Sequence, residues 1–184
     1  MLTSRPGLTL EEFVRLPERE PPLEYEDGEI TRKVSPKARH STVEYQLITA
    51  LARVADGAHV RIFPELRVTF GGRSVVPDLS LFRRERLPVD ANGEVENDVM
   101  LAPDAVFEIL SPKQNVTRLV RRCIWYVANG VSAAVLVDDN DRTIFLFRPG
   151  AEPRTLRGDD VLELGPVLPR FAISANELFA ALRV

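Results

Sequence analysis

Hydrophobic and polar positions recur along the chain with two periods, and each period predicts one kind of element. Apolar residues three and four positions apart predict a long helix over residues 39–56 and another over 116–127. Thr9 and Glu12 have the spacing of a capping box, which predicts a short first helix that ends near Pro17. The segment SANELFAAL predicts a final helix. We therefore expect a helix near each end of the chain and two longer ones between them.

Extended segments lie between these helices and predict a sheet. Asp27-Gly28 separates the first two and favours the type I′ turn of a β-hairpin. The remaining strand candidates are HVRIF, ELRVTF, SVVPDLSLF, DAVFEIL, SAAVLVD and TIFLFRP. SAAVLVD is almost entirely apolar, as expected of a strand covered on both faces. This order predicts an α/β fold of the α+β kind, with an N-terminal helix and hairpin before a mixed central sheet flanked by helices.

Length and composition are those of one globular domain, which we expect to span residues 1–184. No apolar run approaches the length of a membrane span, and the N-terminus lacks an apolar signal segment. We therefore expect a cytoplasmic protein with no membrane partner. A single cysteine, Cys123, excludes an internal disulfide framework, and its place in an apolar helical stripe predicts a core residue. With two histidines in the chain, any metal is expected to be held by oxygen.

Charge is distributed unevenly along the chain. Seven acids lie between Glu85 and Glu108, with one basic residue among them. The segment from Ile109 to Val137 has no acid and carries Lys113, Arg118, Arg121 and Arg122. An acidic segment next to a basic one suits a site that binds a cation and an anion together, although two solvated faces would have the same pattern. The net charge of −3 argues against a general nucleic-acid coat.

Two carboxylates interrupt apolar strand segments, Asp78 in VVPDLSLF and Glu108 in AVFEILSP. If the strands are neighbours with both acids on one side, each charge opposes ionisation of the other, and a divalent cation relieves the conflict. Mg²⁺ (or Mn²⁺) suits such a pair, because it binds through one or two carboxylates plus water and substrate phosphate. The alternative is that the acids lie at strand ends, bonded to loop amides or to arginine.

Six stretches follow one another between about residues 8 and 148: LTLEEFVRLPE, LEYEDGEI, the SP…H opening of the long helix, VVPDLSLF, VFEILSP and YVANGVSAAVLVD. In this order they resemble the Uma-type family of predicted restriction endonucleases, part of the PD-(D/E)xK nuclease superfamily. The resemblance implies a restriction-endonuclease-like fold and a Mg²⁺-dependent endonuclease that hydrolyses DNA. By analogy with nucleases that cut two strands, it also implies a homodimer.

The resemblance assigns Asp78 and Glu108 as metal ligands, but the lysine of the motif is missing. The position two residues after the second acid is Leu110. Relatives carry a lysine four residues before a helical tyrosine, which is Arg122 here, before Tyr126. Arginine can neutralise a phosphate but is a poor proton acceptor, so Arg122 and Lys113 are the candidates for contact with the scissile phosphate.

The missing lysine leaves a second interpretation open. The chain would then be a catalytically weakened or inactive nuclease-fold protein that binds nucleic acid or acts as a regulatory dimer. In a third interpretation the acids only make salt bridges in a structural dimer.

Weaker candidates surround these residues. His40 matches a family histidine and Glu44 follows it by one helical turn, while Glu24 belongs to the family's E-x-x-D-G hairpin. The alternatives are a helix-start role for His40 and no functional role for Glu24. Arg118, Arg121 and Trp125, on the basic helix, are predicted to contact nucleic acid. The alternative for the arginines is a solvated helix face, and the alternative for Trp125 is the edge of a core.

Overall fold

The structure, a computed structural model, describes residues 7–112 and 114–184. Its helices are α1 (Leu10–Val14), α2 (Ala38–Ala55), α3 (Val116–Ala128) and α4 (Ala175–Ala180). Its strands are β1 (Leu23–Glu26), β2 (Glu29–Arg32), β3 (Val60–Pro64), β4 (Val68–Phe70), β5 (Arg73–Val75), β6 (Leu79–Arg83), β7 (Ala105–Ile109), β8 (Ala133–Asp138), β9 (Thr143–Phe147), β10 (Arg154–Leu156), β11 (Val161–Glu163) and β12 (Ala172–Ser174). All four helices lie where the sequence predicts them.

A six-stranded mixed sheet forms the centre of the molecule, with the strand order β10-β9-β8-β7-β6-β3. β7 and β8 are parallel, and α3 makes the crossover between them. The other neighbouring pairs are antiparallel, among them β6 and β7. A parallel pair needs a crossover of this kind, whereas antiparallel strands do not. The mixed central sheet flanked by helices that the sequence predicts is confirmed.

Different elements cover the two faces of the central sheet. α2 and α4 pack on one face, in a core that includes Leu47 and Phe107. α3 packs on the other face together with a smaller sheet of order β2-β1-β5-β4, in a core that includes Tyr126 and Val106. Because alternate residues of a strand point to opposite faces, β7 directs Glu108 to the same side as Val106, toward α3 and the smaller sheet.

Local signals near the N-terminus are confirmed. Asp27 and Gly28 have φ angles of 51° and 85°, both positive as a type I′ turn requires, and β1 pairs with β2 across them. Thr9 Oγ1 accepts a hydrogen bond of 3.2 Å from the Glu12 N–H, and Glu12 Oε2 accepts one of 2.8 Å from the Thr9 N–H. This capping box begins α1, which ends three residues before Pro17 at Val14.

The prediction of one strand over SVVPDLSLF is wrong. β5 ends at Val75 in the smaller sheet and β6 begins at Leu79 in the central sheet, so the residues between them pass from one sheet to the other. Pro77 has no N–H to donate to a ladder, which is the physical reason for the break. Asp78, next to it, lies just before β6, at the point where the two sheets separate. Its backbone oxygen still accepts a hydrogen bond of 3.0 Å from the Glu65 N–H, next to the β3–β6 pair of Pro64 and Leu79.

Three short strands, β10 to β12, are absent from the sequence-based prediction. Each has three residues, and β11 and β12 each bury one side chain, Leu162 and Ile173. A single inward residue gives no alternation to detect.

Two expectations from composition concern the core and the membrane. Cys123 is fully buried, as predicted, and burial raises the pKa of its thiol well above the ordinary value. Across residues 7–112 and 114–184, every helix is too short or too polar to cross a bilayer.

We expect Leu47→Ala to lower the free energy of unfolding by about 2–5 kcal/mol, because it leaves a cavity between α2 and the sheet. Leu47 is fully buried, whereas Tyr45 on the same helix is 72% exposed. Tyr45→Ala is the matched control, with an expected change within about 0.5 kcal/mol. Urea denaturation followed by circular dichroism measures both, and equal losses would contradict the packing described.

Candidate active site

Asp78 and Glu108 lie side by side at the ends of two neighbouring strands. In the β6–β7 pair Leu79 is opposite Phe107, so the next residues outward, Asp78 and Glu108, face each other. Asp78 Oδ2 accepts a hydrogen bond of 2.6 Å from the backbone N–H of Ile109, which holds the carboxylate against β7. The exposed fractions of the two acids are 4% and 3%. The structure thus brings together the two acids singled out in the sequence.

Two basic groups contact the carboxylate of Asp78. Lys33 Nζ donates hydrogen bonds of 2.7 Å to Asp78 Oδ1 and to the backbone oxygen of Val76. His40, in the first turn of α2, places Nε2 3.4 Å from the same Oδ1, and its Nδ1 lies 3.0 Å from Ser111 Oγ. Burial raises the pKa of Asp78, but His40 and Lys33 outweigh it and bring the pKa below its ordinary value. Asp78 is therefore held as a carboxylate.

The negative charge of Glu108 is less well neutralised by nearby cations than that of Asp78. Its Oε1 accepts a hydrogen bond of 2.7 Å from the Tyr126 hydroxyl, while Arg122 Nη1 is 3.4 Å from the same oxygen. Burial raises the pKa of Glu108, the charge of Arg122 lowers it, and the charge of Asp78 raises it again, to about 7. The pKa of this carboxyl is thus raised by its burial and by the second acid that lies beside it. A divalent cation bound between the two acids would relieve their repulsion.

Arg122 faces the acids and not the solvent. Its Nη1 and Nη2 donate to the two oxygens of Glu24 at 2.9 and 2.7 Å, and Nη2 also donates to Glu26. Glu24 Oε1 additionally accepts a hydrogen bond of 3.0 Å from the Val76 N–H. The exposed fraction of Arg122 is 5%. The guanidinium is therefore committed to carboxylates of the protein, and it ties α3 to β1.

Among the described residues, the remaining candidates lie closer to the surface than the two acids. Glu44 is half-buried, and burial followed by the charge of Asp78 raises the pKa of its carboxyl. Arg118 donates hydrogen bonds of 2.7 Å to Glu26 and 2.9 Å to Thr31. Arg121 is exposed, and Lys113 lies outside the described residues.

Trp125, on α3, packs its side chain against the turn that joins β4 to β5. Its ring centroid is 4.7 Å from that of Phe70, and the Arg73 guanidinium lies 4.7 Å from the ring on which it stacks. Its Nε1–H donates a hydrogen bond of 3.3 Å to the Gly71 oxygen. These contacts support the second of its two predicted roles, the edge of a core, over base stacking.

Sequence reasoning missed two residues of the site, Lys33 and Glu26. Both carried a signal, because the type I′ turn fixes the register of the hairpin, in which Glu26 pairs with Glu29 and Glu24 with Thr31. Side chains two positions apart share a face, so Glu24 and Glu26 point the same way, and Lys33 follows Thr31 on that face. What the hairpin face covers could not be deduced from this register.

The oxygen donors of this site are carboxylates, which suit Mg²⁺. In the part of the chain that the structure describes, no three or more His, Cys, Asp or Glu side chains converge as a metal site. A pair of carboxylates is nevertheless what Mg²⁺ uses when water and substrate phosphate supply the other ligands. Asp78 and Glu108 line one cavity of about 220 Å³, together with Lys33, Glu24 and Arg118. These two acids therefore fit a magnesium ion.

Comparison with known proteins identifies the family and the fold. The family model Uma2, described as "Putative restriction endonuclease", matches residues 10–176. The chain belongs to the Uma2 family. The matched range includes both acids, the hairpin and α3, so the complete site lies within the Uma2 domain. The resemblance stated from six sequence stretches is confirmed.

Solved structures extend the comparison. A crystal structure of "a putative nuclease belonging to DUF820" from Anabaena variabilis ATCC 29413 has a TM-score of 0.92 and 34% identity, covering 96% of this Uma2 chain and 100% of that one. A cryo-EM structure of a DrdV–DNA complex aligns at a TM-score of 0.34 and 12% identity over 76% and 13% of the two chains, too low to carry an argument. Among curated proteins no match is found. The family and the first neighbour support a nuclease with a restriction-endonuclease-like fold.

We expect Arg122→Met to lower the free energy of unfolding by about 3–5 kcal/mol, because it leaves the buried carboxylates of Glu24 and Glu108 without their shared cation. Arg121→Met is the matched control on the same helix, since Arg121 is exposed, and it should change stability by no more than about 0.5 kcal/mol. Chemical denaturation compares the two variants. Similar losses for both would mean that the Arg122 pairs do not stabilise the Uma2 fold.

Proposed function

We propose that the protein is a Mg²⁺-dependent endonuclease that hydrolyses phosphodiester bonds of DNA at the cavity beside Asp78 and Glu108. The observation that carries the proposal is that these acids face each other across β6 and β7, while the Lys33 ammonium binds the carboxylate of Asp78. Opposed carboxylates with an adjacent basic group can gather a metal ion and a phosphate in one place. The nuclease family supports the same reaction class.

Asp78 and Glu108 would hold the ion. When bound, the ion would supply Lewis-acid stabilisation of the charge on the phosphate and lower the pKa of water. The chain's own residues do the remaining work. Tyr126 orients the Glu108 carboxyl through its hydroxyl, and the Ile109 N–H orients Asp78. Arg122 holds Glu24 and Glu108 on one guanidinium and so fixes the second acid from the side of α3.

The DNA backbone would approach from the open side of the cavity. Arg118 and Arg32 line it, and both are exposed, which suits contact with phosphates on either side of the scissile bond. Because two strands must be cut to break a duplex, we also propose that two copies of the chain act together.

A second function is favoured by a different observation. Asp78 already pairs with Lys33, and Glu24 already pairs with Arg122, so these two acids each have a cationic partner within the chain. A protein of this kind that binds nucleic acid without cutting it needs no further cation. Catalysis and binding therefore have to be measured separately.

We expect the protein to nick supercoiled plasmid DNA with Mg²⁺ or Mn²⁺ and to lose the activity with a chelator. Asp78→Asn and Glu108→Gln should each lower the rate at least about 100-fold, since even outer-shell partners of a metal are worth 10–100-fold. Asp56→Asn is the control, because Asp56 is an exposed acid at the far end of α2. Calorimetric titration with Mn²⁺ should show binding to the wild type and to Asp56→Asn, and much weaker binding to the other two.

The outcomes separate the two functions. Absence of metal binding by the wild type, or binding that Asp78→Asn leaves unchanged, would contradict the metal site. An inert wild type whose DNA affinity falls steeply with salt would instead support the binding protein.

A further inference from the structure

We propose that Lys33 is the catalytic lysine of this site and that its ammonium contacts the scissile phosphate. The inference rests on the proposed function and adds to it a residue from the N-terminal hairpin. It accounts for the lysine that is missing both after the second acid and on α3.

The two positions where the sequence pattern places a lysine do not reach a phosphate in this chain. Leu110 is apolar and packs against the core on the α3 side of the sheet. Arg122 is buried, and both of its terminal nitrogens bind carboxylates of the hairpin. Its Nε–H has no partner among the described residues but is buried away from the cavity surface. A phosphate could recruit the terminal nitrogens only by breaking their bidentate pair with Glu24, which removes the cation from a buried carboxylate.

Lys33 is less committed to the carboxylates of the protein than Arg122. Both line the cavity of Asp78 and Glu108, but Lys33 pairs with one acid and its side chain is 9% exposed, whereas Arg122 pairs with three acids and is 5% exposed. An ammonium has three N–H donors. Within residues 7–112 and 114–184, Asp78 and the Val76 oxygen take two of them. The third donor remains for a ligand in the cavity.

The hairpin holds this ammonium in place through its backbone register. The Lys33 N–H donates a hydrogen bond of 2.8 Å to the Pro22 oxygen, which continues the β1–β2 pairing one step beyond Leu23 and Arg32. Glu24 is in turn fixed by Arg122 and by the Val76 N–H. The β1–β2 hairpin therefore positions both basic groups. It places Lys33 beside Asp78, and its Glu24 binds Arg122.

The proposed step is ordinary hydrolysis and needs no further reactant. A bond forms between the water oxygen and phosphorus, and the bond from phosphorus to one bridging oxygen breaks. One proton of the water goes to the leaving oxygen, and the other goes to solvent or stays on the new phosphomonoester. Lys33 keeps its own proton throughout and donates a hydrogen bond to a non-bridging oxygen, where negative charge increases. Its role is therefore electrostatic.

The competing explanation is that Lys33 only balances the charge of Asp78. The two roles predict opposite effects on cleavage. In either role, removal of Lys33 takes a positive charge away from the ion, so metal binding should tighten. If Lys33 only balances the charge of Asp78, cleavage should then be kept or rise, whereas cleavage should fall if Lys33 contacts the phosphate.

The experiment compares wild type, Lys33→Met and Arg53→Met. Arg53 is an exposed cation on α2, about 20 Å along the helix from His40 at 1.5 Å per residue, so its removal matches the loss of charge outside the site. We expect Lys33→Met to lower single-turnover cleavage of DNA about 100-fold or more, as for loss of one transition-state donor. In Mn²⁺ calorimetry without DNA it should bind the ion about tenfold more tightly. Arg53→Met should match the wild type in both assays.

Lys33→Gln repeats the comparison with a side chain that still donates to the Val76 oxygen, in case methionine disturbs the fold. Cleavage kept within about threefold by a folded variant would overturn the proposal, and so would loss of cleavage together with loss of Mn²⁺ binding.

Failure of the proposed function has a separate signature. If the wild type cuts no DNA with any metal, catalysis is overturned, and the phosphate contact is judged from binding alone. The affinity for a short labelled duplex, measured with Ca²⁺ at several salt concentrations, gives the slope of log K against log salt. A slope smaller by about one in Lys33→Met, but not in Arg53→Met, supports a phosphate contact. An unchanged slope overturns it.

Discussion

The buried guanidinium of Arg122 is the interaction on which the rest of the site depends. It joins Glu24 of the hairpin to Glu108 of the central sheet, from a helix that forms the crossover between two parallel strands. Buried charges are tolerated only when their partners are all in place, so the hairpin must dock before the acids have a favourable environment. Docking in turn brings Lys33 to Asp78. The ion pairs that attach the hairpin to the central sheet are thus the same ones that build the site.

Much of this architecture could be predicted from the sequence, because the signals were local. The helical stripe from Val116 to Val127, the Thr9–Glu12 capping box and the Asp27-Gly28 turn each determine structure within a few residues. The pairing of Asp78 with Glu108 could also be anticipated, since both acids interrupt apolar segments that suit neighbouring strands. Local patterns suffice where an element's own periodicity decides its structure.

The rest of the site depends on contacts distant in sequence, which no local pattern contains. Lys33 lies 45 residues before Asp78, and Arg122 lies 98 residues after Glu24. The hairpin register shows which of its residues share a face, but it does not show which edge of the central sheet that face meets. The break at Pro77 has the same origin. A continuous apolar run looks like one buried strand, although its halves belong to different sheets.

The hydrogen bond from the Ile109 N–H to Asp78 gives this acid a part in folding. Its carboxylate takes the position of a ladder acceptor, where β6 has not yet begun and β7 still presents an N–H. An acid at this position therefore serves the fold whether or not the site cuts DNA. For this chain and those that share the contact, the PD dipeptide reports how the two sheets are joined, and activity has to be inferred from the basic groups around it.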